Sequence, residues 1–201
     1  MPEMTLWLAR HGQSTVNAGA QSDMDAPLTE LGWQQARDLA VTVDRQPDLV
    51  ITSPLLRARQ TAAPLLQRWP DTPQETWPIQ EFVYLSPARC AGSTVQTRRP
   101  WVAQYWESAD PAYADGTDAE SFAAFIARVQ AFEQRLRQLA PGFVLVVGHG
   151  QFLRAFQMVL TQGLDDSAGS MRQFRAQEVA QPVRNTEVLD LSAAFRLRAG
   201  G

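Results

Sequence analysis

Leu6-Trp7-Leu8-Ala9-Arg10-His11-Gly12-Gln13-Ser14-Thr15-Val16-Asn17 passes from apolar to polar within a few residues. With Thr5 it opens as a short apolar run, Thr5 to Ala9, that breaks at Arg10-His11-Gly12 into polar residues. Such a run reads as a buried strand of a parallel sheet, because a strand covered on both faces has no polar side to show. Asp48 to Thr52 (DLVIT) and Phe143 to Val147 (FVLVV) read the same way. A further strand is expected to end near Ile79, and Glu187 to Leu191 reads as a late edge strand.

Between these runs the apolar period becomes helical. Trp33, Ala36, Ala40 and Val43 recur at helical spacing behind Thr29, a suitable N-cap. Ser53-Pro54 offers an N-cap and a first-turn proline for a helix from Leu55 to Leu66, bent or shortened by Pro64. Thr117 and Glu120 stand at capping-box spacing ahead of Phe122, Phe125, Ile126, Val129, Phe132, Leu136 and Leu139, a stripe that predicts a helix of about five turns. Another helix follows Gly150 through Leu160. This alternation predicts an α/β protein: a three-layer α/β/α sandwich around a mostly parallel central sheet with right-handed crossovers, in one domain over 1–201. Ser86 to Gly116, with Pro87, Pro100 and Pro111, is the expected place for substrate-specific structure.

Composition narrows the classes. The 201 residues are 45% hydrophobic and 19% charged, a globular composition able to bury one core. A net charge of -3 with scattered arginines leaves no basic stripe for nucleic acid. Met1 to Leu8 has no basic start followed by a long apolar run, and no apolar stretch is long enough to cross a bilayer, so a soluble, cytoplasmic protein is expected. The single cysteine, Cys90, excludes an internal disulfide and reads as a partly buried small side chain; with two distant histidines it makes no zinc pattern. Nothing in the sequence fixes an oligomeric state.

In an open α/β sheet the ligand sits beyond the carboxyl ends of the strands. Three such ends carry Arg10-His11-Gly12, Ser53-Pro54-Leu55-Leu56-Arg57 and Gly148-His149-Gly150, so both histidines of the chain stand at strand ends beside glycine. A neutral imidazole is a nucleophile near pH 7, and arginine is suited to phosphate. Asn17 offers a donor to a ligand or caps a turn. Gly150 offers a backbone N–H at a helix start. Arg59, two positions after Arg57, reads as a surface residue.

Taken with Pro27-Leu28-Thr29-Glu30-Leu31-Gly32, Gln35-Ala36 and Ser53 to Ala62 (SPLLRARQTA), these motifs follow one another in family order. Over nearly its whole length the chain resembles the histidine phosphatase superfamily, the phosphoglycerate-mutase-like fold. The resemblance implies that His11 becomes a phosphohistidine and that Arg10, Arg57 and His149 surround the phosphoryl group. It also implies that Asn17 and Gly150 add donors and that no metal or other cofactor is required. A leaving alkoxide needs a proton. Glu81 follows the strand expected to end near Ile79, as the family's acid does. Where many relatives continue with a Gly-x-Trp-Glu-Gly-like string, this chain reads Glu81-Phe82-Val83-Tyr84-Leu85-Ser86-Pro87, which leaves an exposed loop carboxylate as the other reading of Glu81. Arg89, Arg98 and Arg99 offer charge to a second acidic group of the substrate, although each taken singly reads as solvated. The expected function is phosphomonoester hydrolysis on a small phosphorylated metabolite or a phosphoprotein. The alternatives are a phosphoglycerate-type mutase, whose known examples are longer, and a catalytically silent phospho-ligand-binding module, which predicts the loss of a residue that is present here.

Overall fold

The computed structural model describes residues 3–19 and 24–198; residues 1–2, 20–23 and 199–201 of the expected 1–201 domain lie outside the described residues. In chain order the elements are β1 (Thr5–Arg10), α1 (Glu30–Thr42), β2 (Leu49–Thr52), α2 (Leu56–Arg68), β3 (Gln74–Thr76), α3 (Pro87–Cys90) and α4 (Val95–Ser108). They continue as α5 (Phe122–Leu136), β4 (Phe143–Gly148), α6 (Gly150–Gln162), α7 (Ala168–Ala180), β5 (Val188–Asp190) and α8 (Ser192–Leu197).

The strands form one sheet in the order β3-β2-β4-β1-β5, parallel except for β5, which runs antiparallel to β1 at the edge. Strand residues alternate faces, so each apolar run feeds two cores. Leu6, Leu8, Ile51, Val144 and Val146 pack on one side with apolar residues of α5, α6, α7 and α8. Ala9, Val50, Phe143, Leu145 and Val147 pack on the other with Leu39 and Ala40 of α1 and Ala58, Ala62 and Leu65 of α2. This is the expected three-layer sandwich. Register positions the site: Arg10 lies opposite Gly148, and Thr52 opposite Val147, so the residues that follow three neighbouring strands emerge side by side.

Several local expectations are corrected. The second helix starts at Leu56, not behind Ser53, because the Ser53 hydroxyl is engaged by His149 and Leu55 N–H, while Asp25 Oδ1 accepts from Leu56 N–H at 2.6 Å. That helix runs through Pro64 to Arg68, so the proline does not shorten it. The cap of α5 is Ser121, whose hydroxyl accepts from Ala124 N–H, and the helix stops at Leu136, short of Leu139. Glu120, read as the capping-box acid, instead forms a two-bond ion pair with Arg128. The third strand ends at Thr76 rather than near Ile79: Trp77 N–H makes one more bond, to Thr52 O, and Pro78 has no N–H to continue. Cys90 is buried rather than partly buried. The Pro-rich segment is largely helical, with Pro87 in the first turn of α3 and Pro100 inside α4. Among the described residues no helix is long and apolar enough to cross a membrane.

Candidate active site

His11 follows β1 and is 2% exposed. Its Nδ1 lies 2.7 Å from the carbonyl oxygen of Gly12, and Arg57 Nε donates to its Nε2 at 3.2 Å. A carbonyl only accepts, so the ring proton sits on Nδ1 and the lone pair on Nε2. Burial, then the Arg57 guanidinium, pushes the His11 pKa down to about 3, with a smaller push from Arg10 and an opposing pull from the Gly12 carbonyl. The imidazole is therefore neutral at pH 7.

The backbone under His11 is closely packed. A Cβ on Gly12 would stand 2.6 Å from Gly32 O, and one on Gly32 would stand 2.1 Å from Gln13 O, so the start of α1 reaches the loop after β1 only because both positions are glycine. Gly12 N–H donates to Thr61 Oγ1 at 2.9 Å, and the Thr61 hydroxyl donates to Arg57 O one turn back along α2. Arg57 Nη1 also donates to Met24 O at 2.7 Å.

His149 follows β4 and is fully buried, its ring centroid 5.0 Å from that of His11. Its Nε2 lies 2.7 Å from Ser53 Oγ, whereas its Nδ1, like Arg10 Nε, is buried without a hydrogen-bond partner among the described residues. Burial first, then His11, Arg57 and Arg10, hold the His149 pKa well below the ordinary value. Arg10 Nη1 donates to Val183 O at 2.6 Å, and a Cβ on Gly150 would stand 3.4 Å from Arg10 Nε. Gly150 thus opens α6 beside the Arg10 guanidinium.

Glu81 comes to the same site. Its Oε1 accepts from Gln151 N–H in the first turn of α6 at 3.0 Å and from Phe82 N–H at 3.2 Å. Burial raises its pKa against the lowering influence of Arg10, these two N–H groups and Arg57. The reading of Glu81 as a solvated loop carboxylate is thereby set aside. Asn17 takes a turn role: its Oδ1 accepts from Ser14 N–H at 3.3 Å, and its own N–H donates to Ser14 Oγ. Arg59 is exposed, as expected. Arg89 pairs with Asp115 and stacks on Trp101, and Arg98 donates to Ser93 O, so both are tied within the insert. Arg98 and Arg99 border a cavity shared with Arg175 of α7.

Sequence reasoning missed Ser53 as the partner of His149, Thr61 as the acceptor under Gly12, and Asn185, whose Nδ2 donates to His11 O at 2.8 Å. Thr61 carried a usable signal, standing one helical turn beyond Arg57 on the buried side of α2. The result is a cluster of two neutral imidazoles, two guanidiniums and one carboxyl with a raised pKa, assembled from the ends of β1, β2 and β4 and the loop after β3.

A model of the histidine phosphatase superfamily (branch 1) matches residues 6–187. The adenosylcobalamin/alpha-ribazole phosphatase of Salmonella typhi is 32% identical over 185 residues, 87% of each chain. The glucosyl-3-phosphoglycerate phosphatase of Mycolicibacterium vanbaalenii is 44% identical over 66 residues, 31% of this chain and 29% of its own. Among solved structures, the alpha-ribazole phosphatase of Shigella flexneri superposes with a TM-score of 0.72 at 26% identity, covering 96% of this chain and 93% of its own.

Proposed function

This chain belongs to the histidine phosphatase superfamily (branch 1), and we propose that it hydrolyses phosphomonoesters of small metabolites through a covalent phosphohistidine on His11. The observation that carries the reading is the fixed tautomer of His11: Nδ1–H is held by Gly12 O, and the lone pair of Nε2 is met by Arg57. On substrate binding the Arg57 bond to Nε2 is exchanged for one to a phosphoryl oxygen. Nε2 then attacks phosphorus, and the ester P–O bond breaks in line. Arg10, Arg57 and the unpartnered Nδ1 of His149 face the charge that gathers on the phosphoryl oxygens. The side-chain NH₂ of Asn17 and the backbone N–H of Gly150 add donors.

The leaving oxygen takes its proton from Glu81, whose raised pKa keeps it an acid further up the pH scale than an ordinary carboxyl. Water then attacks the phosphohistidine, Glu81 takes up the water proton, and inorganic phosphate departs with Nε2 restored. This cycle needs no metal and runs in one catalytic domain. The free Cys90 thiol suits a reducing, cytoplasmic setting. The relatives' names make alpha-ribazole phosphate and glucosyl-3-phosphoglycerate the first metabolites to screen.

The test is turnover of para-nitrophenyl phosphate in EDTA by the wild type and His11→Ala, with acid-labile phosphate on the protein measured in parallel. Turnover and label in the wild type, both absent from the variant, are expected. Equal turnover in the two proteins would assign the nucleophile elsewhere.

A further inference from the structure

All four backbone polar atoms bracketing His11 are bonded. His11 N–H donates to Gly148 O at 2.9 Å, Arg10 O accepts from Thr186 N–H at 3.0 Å, Gly12 N–H donates to Thr61 Oγ1, and His11 O accepts from Asn185 Nδ2 at 2.8 Å. Two of these ties are main-chain to main-chain, and the third comes from a fully buried threonine. The fourth comes from a half-buried side chain in the segment joining α7 to β5.

The same segment grips Arg10. Arg10 N–H donates to Glu187 O at 3.2 Å, and its Nη1 donates to Val183 O. Thr186 has φ +55°, a left-handed conformation that β-branched residues rarely adopt and that persists where surrounding contacts impose it. Asn185 Nδ2 also lies 3.5 Å from Asn17 Oδ1, which already accepts from Ser14 N–H. With its oxygen engaged from two sides, the Asn17 amide turns its NH₂ end away from them.

We propose that Asn185 is a positioning residue for phosphoryl transfer, which fixes the His11–Gly12 peptide at His11 O and through it the Gly12 backbone, so that the following carbonyl, Gly12 O, holds the imidazole proton and Nε2 stays aimed at phosphorus. The inference rests on the reading of His11 as nucleophile. Without the Asn185 bond the His11–Gly12 peptide is tied only at Gly12 N–H, and the freedom this gives about the Gly12 N–Cα bond shifts the next peptide, whose Gly12 O faces Nδ1 and whose N–H is held by Gln35 Oε1, relative to the ring. The ring then loses both its fixed tautomer and its aim.

The chain has two histidines, so protein labelled with ¹⁵N in the imidazoles yields two ring-nitrogen sets, assigned with His11→Ala. In the wild type His11 should show the Nδ1–H tautomer alone. In Asn185→Ala the His11 resonances should move toward a tautomer mixture. The kcat on para-nitrophenyl phosphate should fall about 10- to 100-fold, with KM changing by less than about threefold, since misplacement of a reacting group acts on the chemical step. Asn185→Asp keeps the shape but turns an acceptor toward His11 O, and should fall at least as far while melting near the wild-type temperature. Unchanged His11 resonances, with kcat per folded molecule within about twofold of wild type in both variants, would overturn the proposal. A wild type without turnover would overturn the His11 reading instead, and the His11 resonances alone would then decide whether Asn185 holds the ring.

Discussion

At the carboxyl ends of β1 and β4, His11 and His149 are 2% and 0% exposed, and their ring nitrogens meet a carbonyl, a guanidinium and a hydroxyl placed by the sheet. In the insert from Ser86 to Gly116, Arg89 meets Asp115 and Trp101, Arg98 meets Ser93, and Arg99 stands exposed. Ionisable groups at the site have left water, so burial pushes both imidazole pKa values down, which keeps the rings neutral at pH 7, and pushes that of Glu81 up. Insert arginines keep much of their hydration, and their pairs are local. The strand ends are therefore built for one chemistry, whereas the arginines of the insert can change without disturbing it.

The largest expected effect belongs to His11→Ala, which should lower para-nitrophenyl phosphate turnover by on the order of 10⁴-fold or more, as removal of a nucleophile does. Arg57→Ala removes the cation that meets Nε2 and should cost about 10³-fold in kcat, read in the same assay. Glu81→Gln should cost about 10²-fold and reshape the pH profile. A general acid acts while protonated, so on the proposed role of Glu81 the wild-type kcat/KM should fall as pH rises through its raised pKa, and the variant should lack that limb.

The imidazoles add a second pH effect. Their folded pKa values lie below the unfolded value of about 6.5, so the unfolded chain takes up protons first as the solution is acidified. The stability they contribute is complete above about pH 6.5 and is lost as pH falls toward the His11 value of about 3. Thermal melts at pH 7 and pH 4.5 should show it, and His11→Ala should reduce the difference. A smaller effect on chemistry comes from Phe82→Ala. Phe82 stacks on Phe125 at 4.3 Å between centroids and anchors the residue next to Glu81. Its truncation should cost about 3–5 kcal/mol in urea unfolding. The smallest belongs to Arg89→Ala, expected at about 1 kcal/mol or less with para-nitrophenyl phosphate turnover unchanged. A tenfold loss there would place the insert in the phosphoryl site.

The parts legible beforehand share a local cause. A run such as Phe143–Gly148 must be covered on both faces, and its composition says so without reference to any other segment. The α5 stripe likewise declares its buried face, and all six of its positions inside the helix are buried. The parts that were not legible lack such a pattern. The α4 and α7 helices bury two residues each, Tyr105 with Trp106 and Met171 with Phe174, and β3 is exposed along its length. Thr117 and Glu120 had the spacing of a cap, yet Ser121 takes the position and Glu120 turns to Arg128, a choice set by packing of α5 rather than by spacing.

The α/β alternation, the central strands and the placement of Arg10, His11, Arg57 and His149 at strand ends are written locally in the chain, because apolar periodicity and turn chemistry act over a few neighbouring residues. What holds those groups in place arises from contacts between segments distant in the chain. Ser53 reaches His149 across 96 positions, Thr61 reaches Gly12 across 49, and Asn185 reaches His11 across 174. Each is a polar residue of common type, and its partner is set by strand register and by the need to satisfy buried polar groups, a requirement that exists only once the sheet has formed.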